Sequence, residues 1–244
     1  MNLVEKAFEY ESKEIAHLIY NGLIGGSILY LFAEILGRIG LERFIPYSLE
    51  TNVILYISSF TILYALFISV QKGTARYLGL EAMYDSWIYG PLIGFGISIL
   101  TYGIFPLLYL GTVKAEPRED LRLGRINQSI NASDLFTIGA SGIVFLFLLI
   151  TIILEPLFVM TNSPFFRILT ITAAATMFYS TIPLPQTNGA NLILKSRYGW
   201  LFMFAFSLFV FLFASFINAY LYLVILFLTF LIMYAVNKKF TNLI

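Results

Sequence analysis

The chain has no cysteine and a single histidine, His17. Disulfides, thiolate metal sites and cysteine nucleophiles are therefore excluded, and most histidine chemistry with them. Charge is scarce as well: 12% of the 244 residues are Asp, Glu, Lys or Arg, against roughly 25% in an ordinary soluble domain. The 15 basic and 14 acidic residues leave a net charge of +1, too little to recruit nucleic acid or to act as an electrostatic membrane anchor.

Apolar residues are abundant instead, with 59% hydrophobic, 17% aromatic and a mean hydropathy of +0.84. They form runs at roughly 15–36, 52–71, 87–110, 135–160 and 165–184, bounded by charged, Gly or Pro residues. About 20 apolar residues cross a hydrocarbon core of roughly 30 Å. A last run, 200–236, would measure about 54 Å as one helix, so two spans, 200–216 and 218–236, fit it better. The expectation is an all-α polytopic membrane protein, one domain over 1–244 with seven transmembrane helices, or six in the alternative. Its first partner is the lipid bilayer, and its expected location is the cell membrane. The acidic start, with Glu5, Glu9 and Glu11, argues for a retained first helix over a cleaved signal peptide.

Two orientation signals conflict. Seven spans place the loops near 37–51, 111–134 and 185–199 and the C-terminus on one side, collecting about ten of the 15 Lys and Arg, Lys238 and Lys239 included. The positive-inside rule assigns that side to the cytoplasm. The same long loop carries two glycosylation sequons, at Asn127 and Asn131, which are modified only outside it.

The stretch from Phe178 to Ala190 contains Pro183-Leu-Pro185-Gln-Thr-Asn188-Gly189. It resembles the Asn-Leu-Leu-Pro-x-Pro-x-x-Asp-Gly segment of site-2-protease-type membrane zinc metallopeptidases, archaeal members above all. In that family the aspartate is the third zinc ligand, after two histidines of a His-Glu-x-x-His helix. A second match is Gln71-Lys72-Gly-Thr-Ala75-Arg76-Tyr-Leu-Gly79, followed by Ala82, Tyr84, Trp87 and Gly90. It resembles the family's histidine-lysine pair, Arg-Tyr-Gly turn and aromatic stretch. Weaker likenesses are Ser12 to Ile15 as the lead into the first helix, Pro106 with Tyr109 in a strand segment, and Ile138 to Phe145.

In this alignment the former zinc-site positions are Phe67, Ile68, Gln71 and Asn188. Catalytic zinc needs about three lone-pair ligands and an open position. A phenyl ring offers none, amide oxygens are feeble donors for this ion, and Ile68 cannot serve as a base. The resemblance therefore implies a site-2-protease-like core without metal, cofactor or catalytic residue: a pseudoprotease that binds or scaffolds another membrane protein or a transmembrane peptide. Its peptide-binding cleft would involve Pro183, Pro185, Asn188 and Gly189, receiving an extended segment by strand addition. The plainer reading of Gln71 and Asn188 is that they hydrogen-bond each other or nearby backbone.

Gly139-Ala-Ser141-Gly142 and His17-Leu-Ile-Tyr-Asn21 resemble the nucleophile loop and the His-x-x-x-Asn helix of rhomboid proteases. They raise the alternative of an active intramembrane protease using Ser141, although a serine nucleophile needs a base within reach. Gly22, Gly25 and Gly26 form a small-residue stripe suited to close helix packing, within the chain or between copies in an oligomer. Glu34, Glu155 and Arg167 are expected near span ends, in reach of interfacial water.

Overall fold

A computed structural model of the chain describes residues 10–38, 45–117 and 130–216. Helix α1 (Ser12–Arg38) is followed by α2 (Leu49–Tyr77), strand β1 (Leu80–Asp85), α3 (Tyr89–Leu100) and strand β2 (Thr112–Pro117). Helix α4 (Ala132–Leu148) runs through a π-helical turn (Leu149–Leu154) into α5 (Glu155–Thr161), and α6 (Pro164–Ser180), α7 (Asn188–Lys195) and α8 (Arg197–Phe216) complete the described chain. Local chemistry sets the boundaries. Asn131 caps α4 by accepting the Ser133 N–H. Asn162, at φ 48°, ends α5 in the left-handed conformation, and Pro164 opens α6 two residues later.

Four helical stretches are long and apolar enough to cross a membrane: Ser12–Arg38, Leu49–Tyr77, Ala132–Thr161 and Arg197–Ser215. Helix α6, with 17 residues, is about 25 Å long. The expected span 218–236 lies outside the described residues.

The packing places α1 and α2 antiparallel, because Gly22, Gly25 and Gly26 meet Thr61, Phe60 and Ile57 in reverse order. A Cβ on Gly26 would collide with the Ile57 Cα. The small-residue stripe is thus consumed inside the chain. Along α2, the fully buried rings of Phe60, Tyr64 and Phe67 stack at 5.6 and 6.1 Å, so much of the aromatic content is core.

Two expectations are corrected. The chain is not all-α: β1 and β2 pair antiparallel, Asp85 opposite Thr112 and Leu80 opposite Pro117, burying Ala82, Tyr84, Val113 and Ala115 on one face. Nor is 87–110 a single span. Helix α3 covers 12 residues, roughly 18 Å, then turns through Tyr102 and Gly103, both at positive φ. The chain comes back beside its own helix, with the Ser98 hydroxyl donating to the Phe105 carbonyl at 3.1 Å and Gly90 packed on the Tyr109 ring. Such non-helical backbone is tolerated at membrane depth where protein buries it; Pro106, Leu108, Tyr109 and Leu110 of the return are buried, while Tyr102, Ile104 and Phe105 of the turn are exposed.

This re-entrant hairpin inverts the order of sides. The described ends of the 37–51 connection, Arg38 and Ile45, stand at one end of the bundle, whereas the ends of the 111–134 connection and the segment 185–199 stand at the other. Glu155 and Arg167 lie near helix ends as expected but are turned into protein and not toward water, 3.5 Å apart, with the guanidinium 5.4 Å from the Phe158 ring.

Candidate functional site

The last turns of α2 bring Phe67 and Gln71, four residues apart, onto one face. That face meets α4 where Gly139 and Gly142 lie. A Cβ on Gly142 would stand 2.5 Å from the Phe67 ring and 2.9 Å from Gln71 Nε2, so only glycine admits the two side chains. Gln71 Nε2 donates to the Gly139 carbonyl at 3.5 Å, a long and weak bond. Phe67, Ile68 and Gln71 are fully buried.

Asn188 reaches the same place from α7. The break between α6 and α7 spans residues 181–187, where Pro183 and Pro185 punctuate the helix. The Thr187 hydroxyl holds the break by donating to the Ile182 carbonyl at 2.7 Å. Gly189 rests on the Thr181 and Ile182 carbonyls with no room for a Cβ. Asn188 is thereby turned inward beside Gly139, and its Oδ1 accepts from the Thr112 hydroxyl at 2.8 Å. Gln71 and Asn188 thus flank Gly139 from two different helices. Each keeps one buried polar atom, Gln71 Oε1 and Asn188 Nδ2, without a hydrogen-bond partner among the described residues.

The candidate cleft residues separate into two layers. Asn188 and Gly189 are buried, whereas Pro183 and Pro185 are exposed. The outer layer is tied down by Tyr109, whose hydroxyl donates to the Pro185 carbonyl. No cluster of three His, Asp or Glu side chains occurs among the described residues. At this site a phenyl ring, a branched alkyl group and two carboxamides replace what a divalent ion requires, so the residues present do not fit a catalytic zinc.

The sheet borders this site, and its two edges differ. Glu14 Oε1 accepts the Tyr84 N–H at 2.5 Å, so that N–H points away from β2 and the outer edge of β1 is capped. By antiparallel alternation, the backbone of Val113 and Ala115, opposite Tyr84 and Ala82, points away from β1. Among the described residues no further strand pairs with that edge of β2.

Sequence reasoning missed the polar node above this arrangement. Lys72 Nζ lies 2.9 Å from both Glu14 oxygens and 4.4 Å from the Tyr10 ring centroid, and the Tyr10 hydroxyl donates to the Ala65 carbonyl at 3.0 Å. A second network joins Tyr64, Tyr84, Asn21 and Ser86, with Asn21 Nδ2 donating to the Tyr84 hydroxyl at 2.5 Å and to Ser86 Oγ at 2.9 Å. Burial pushes the Tyr84 phenol up to about 12. Lys72 and Glu14 lie 58 residues apart, and no periodicity in the sequence couples them. The rhomboid-like residues are not joined. His17 stands edge-on to Tyr84 at 6.5 Å, while the Ser141 hydroxyl donates to the Ile138 carbonyl of its own helix at 2.7 Å.

No family model, curated protein or solved structure matches this chain. Fold and site define a helical membrane protein with a closed, uncharged polar site at the sheet-bearing end of its bundle.

Proposed function

We propose that the chain is a catalytically inactive site-2-protease-like protein of the cell membrane, a pseudoprotease that binds or scaffolds another membrane protein. On this reading the bundle has six spans: the four long helices, α6, and 218–236. The observation that carries it is the convergence of Gln71 and Asn188 on Gly139. These residues come from the two segments that resemble the family's ligand helix and ligand loop, and they stand 117 positions apart by their numbers, 188 less 71. That neighbourhood is what a shared ancestral metal centre requires, and the ring of Phe67 and the alkyl group of Ile68 account for its loss of chemistry.

Recognition without cleavage would use the edge of β2 that faces away from β1, which no strand pairs among the described residues and which is exposed at Lys114 and Glu116. An extended partner segment would pair with the outward backbone of Ala115, at 8% the less buried of the two outward positions beside Val113 at 1%, and would have to displace what covers it. Ala115→Pro removes one outward N–H while leaving the β1 ladder intact, a substitution that edge strands tolerate. A photo-crosslinker at the exposed Lys114 or Glu116 should capture a membrane-protein partner in the parent chain and lose it in Ala115→Pro. Capture that is indifferent to this substitution would show that the sheet edge is not the recognition surface.

A further inference from the structure

The re-entrant hairpin changes which charges share an end of the molecule, and the membrane orientation follows from that change. Helix α1 runs from the sheet end to the far end, α2 returns, and α3 enters parallel to α1. The Tyr20 hydroxyl donates to the Ile88 carbonyl near the start of both helices, Gly94 approaches Ile28, and Gly103 abuts Leu31. The turn at Gly103 therefore stops at Leu31, about 10 Å short of the end of α1 at Arg38 by helical rise, and the chain retreats to the sheet. Helices α4 and α5 then cross outward. Their direction is fixed by Gly139 against Gln71 and Gly142 against Phe67, antiparallel to α2. Helix α6 returns after the Asn162 turn, and α8 leaves again, with Trp200 Nε1 donating to the Thr181 carbonyl at 2.9 Å.

With these directions, the described basic side chains that are not buried fall unevenly. Lys13, Arg76, Lys114, Lys195 and Arg197 lie at the sheet end, and Arg38, which leads into the connection carrying Arg43, lies at the far end. Pro117 and Ile130, which bound the connection carrying Arg118, Arg122 and Arg125, both lie at the sheet end as well. Acidic residues are also frequent there, Glu81, Asp85, Glu116 and Asp134 among them. They bear little on orientation, which follows Lys and Arg close to the span ends and not net charge.

We propose that the sheet end of the bundle, with β1, β2, Gln71 and Asn188, faces the cytoplasm, and that the loop between α1 and α2 faces the opposite compartment. The Asn131 sequon at the start of α4 then lies on the cytoplasmic side, where no glycosyl transfer occurs, so the conflict between sequon and charge is decided for charge. The proposal stands on helix directions and charge and is independent of the pseudoprotease reading. Together the two imply that a partner segment reaches the β2 edge from the cytoplasmic side.

The absence of cysteine makes the test clean. Single Lys195→Cys and Glu50→Cys variants, both at exposed positions at opposite ends, are treated in intact expressing cells with a membrane-impermeant maleimide, before and after permeabilisation. The expected result is labelling of Glu50→Cys in intact cells and complete loss of labelling of Lys195→Cys until the membrane is opened. Any other pattern, with Lys195→Cys labelled first or the two labelled alike, overturns the assignment. A sugar found on Asn131 in a glycosylating host would overturn it separately.

Discussion

Glu14 and Lys72 form an ion pair at 2.9 Å with side-chain exposures of only 3% and 1%. The carboxylate also accepts the N–H groups of Glu11 and Tyr84, so one side chain joins the entry to α1, the last turns of α2 and strand β1. A buried pair of this kind is costly to break and cheap to replace as a unit, because removing one partner strands the other charge away from water. Lys72→Met or Glu14→Gln alone should each destabilise the protein by about 3–5 kcal/mol. The double Glu14→Gln/Lys72→Met variant should lose clearly less than the sum. Thermal unfolding in mild detergent reads this coupling, and strictly additive losses would show that the pair is energetically idle.

The contact between α1 and α2 is closest at Gly26, where a methyl group would meet the Ile57 Cα. Backbone cannot move aside as a side-chain tip can, so the helices must separate. Gly26→Ala should cost about 1–3 kcal/mol. Gly96→Ala, at a helical position where a Cβ meets nothing within 4 Å, should be neutral or slightly stabilising. Equal unfolding temperatures for the two variants would contradict the packing described.

Strand β2 is also held to β1 by charge. The Lys114 ammonium beside Asp85 holds that carboxyl below its ordinary range, and the His17 ring adds to the effect. A depressed folded-state pKa stabilises the fold above the unfolded carboxyl value of about 3.9 and ceases to do so as the pH falls through the folded value. With 35% and 53% of the two side chains exposed, the pair contributes at most about 1 kcal/mol. Asp85→Asn should lower stability slightly at neutral pH and leave it unchanged in strong acid, where the parent carboxyl is protonated too. A loss of the same size at both pH values would assign the effect to packing.

Hydropathy carried most of the helical architecture, because a run such as 52–71 has no other stable state in a membrane. It failed at 87–110 for a physical reason. Composition reports that a segment avoids water, and the re-entrant α3 with its buried return from Pro106 to Leu110 avoids water as thoroughly as a span does. The turn was marked by Gly103 after Tyr102, a signal that a hydropathy window averages away. From that one misreading the sides of every later loop were exchanged. At the site, the resemblance singled out Gln71 and Asn188, and the structure brings both to Gly139. The Gly139 and Gly142 surface that receives them resembled a rhomboid nucleophile loop and proved to be a packing face. Glu14 with Lys72 was not legible at all, since a pair closed by tertiary structure leaves no local period.

The same geometry allows the family resemblance to be tested by restoring what the site lacks. Phe67 and Gln71 stand one above the other on α2, and Asn188 lies against Gly139, whose carbonyl Gln71 bonds. If these positions descend from a metal centre, Phe67→His, Gln71→His and Asn188→Asp together should supply three ligands able to approach zinc at about 2.0–2.2 Å. Ile68→Glu would add a base beside them. The purified parent chain should carry no stoichiometric zinc after dialysis, whereas the fourfold variant should retain about one ion per chain and gain chelator-sensitive thermal stability. Stability that rises with added zinc needs no catalytic turnover, so the readout is independent of whether the sheet edge accepts a substrate. A folded fourfold variant that ignores zinc would mean that the spacing of Gln71 and Asn188 is a coincidence of packing, and the site-2-protease-like reading would fall with it.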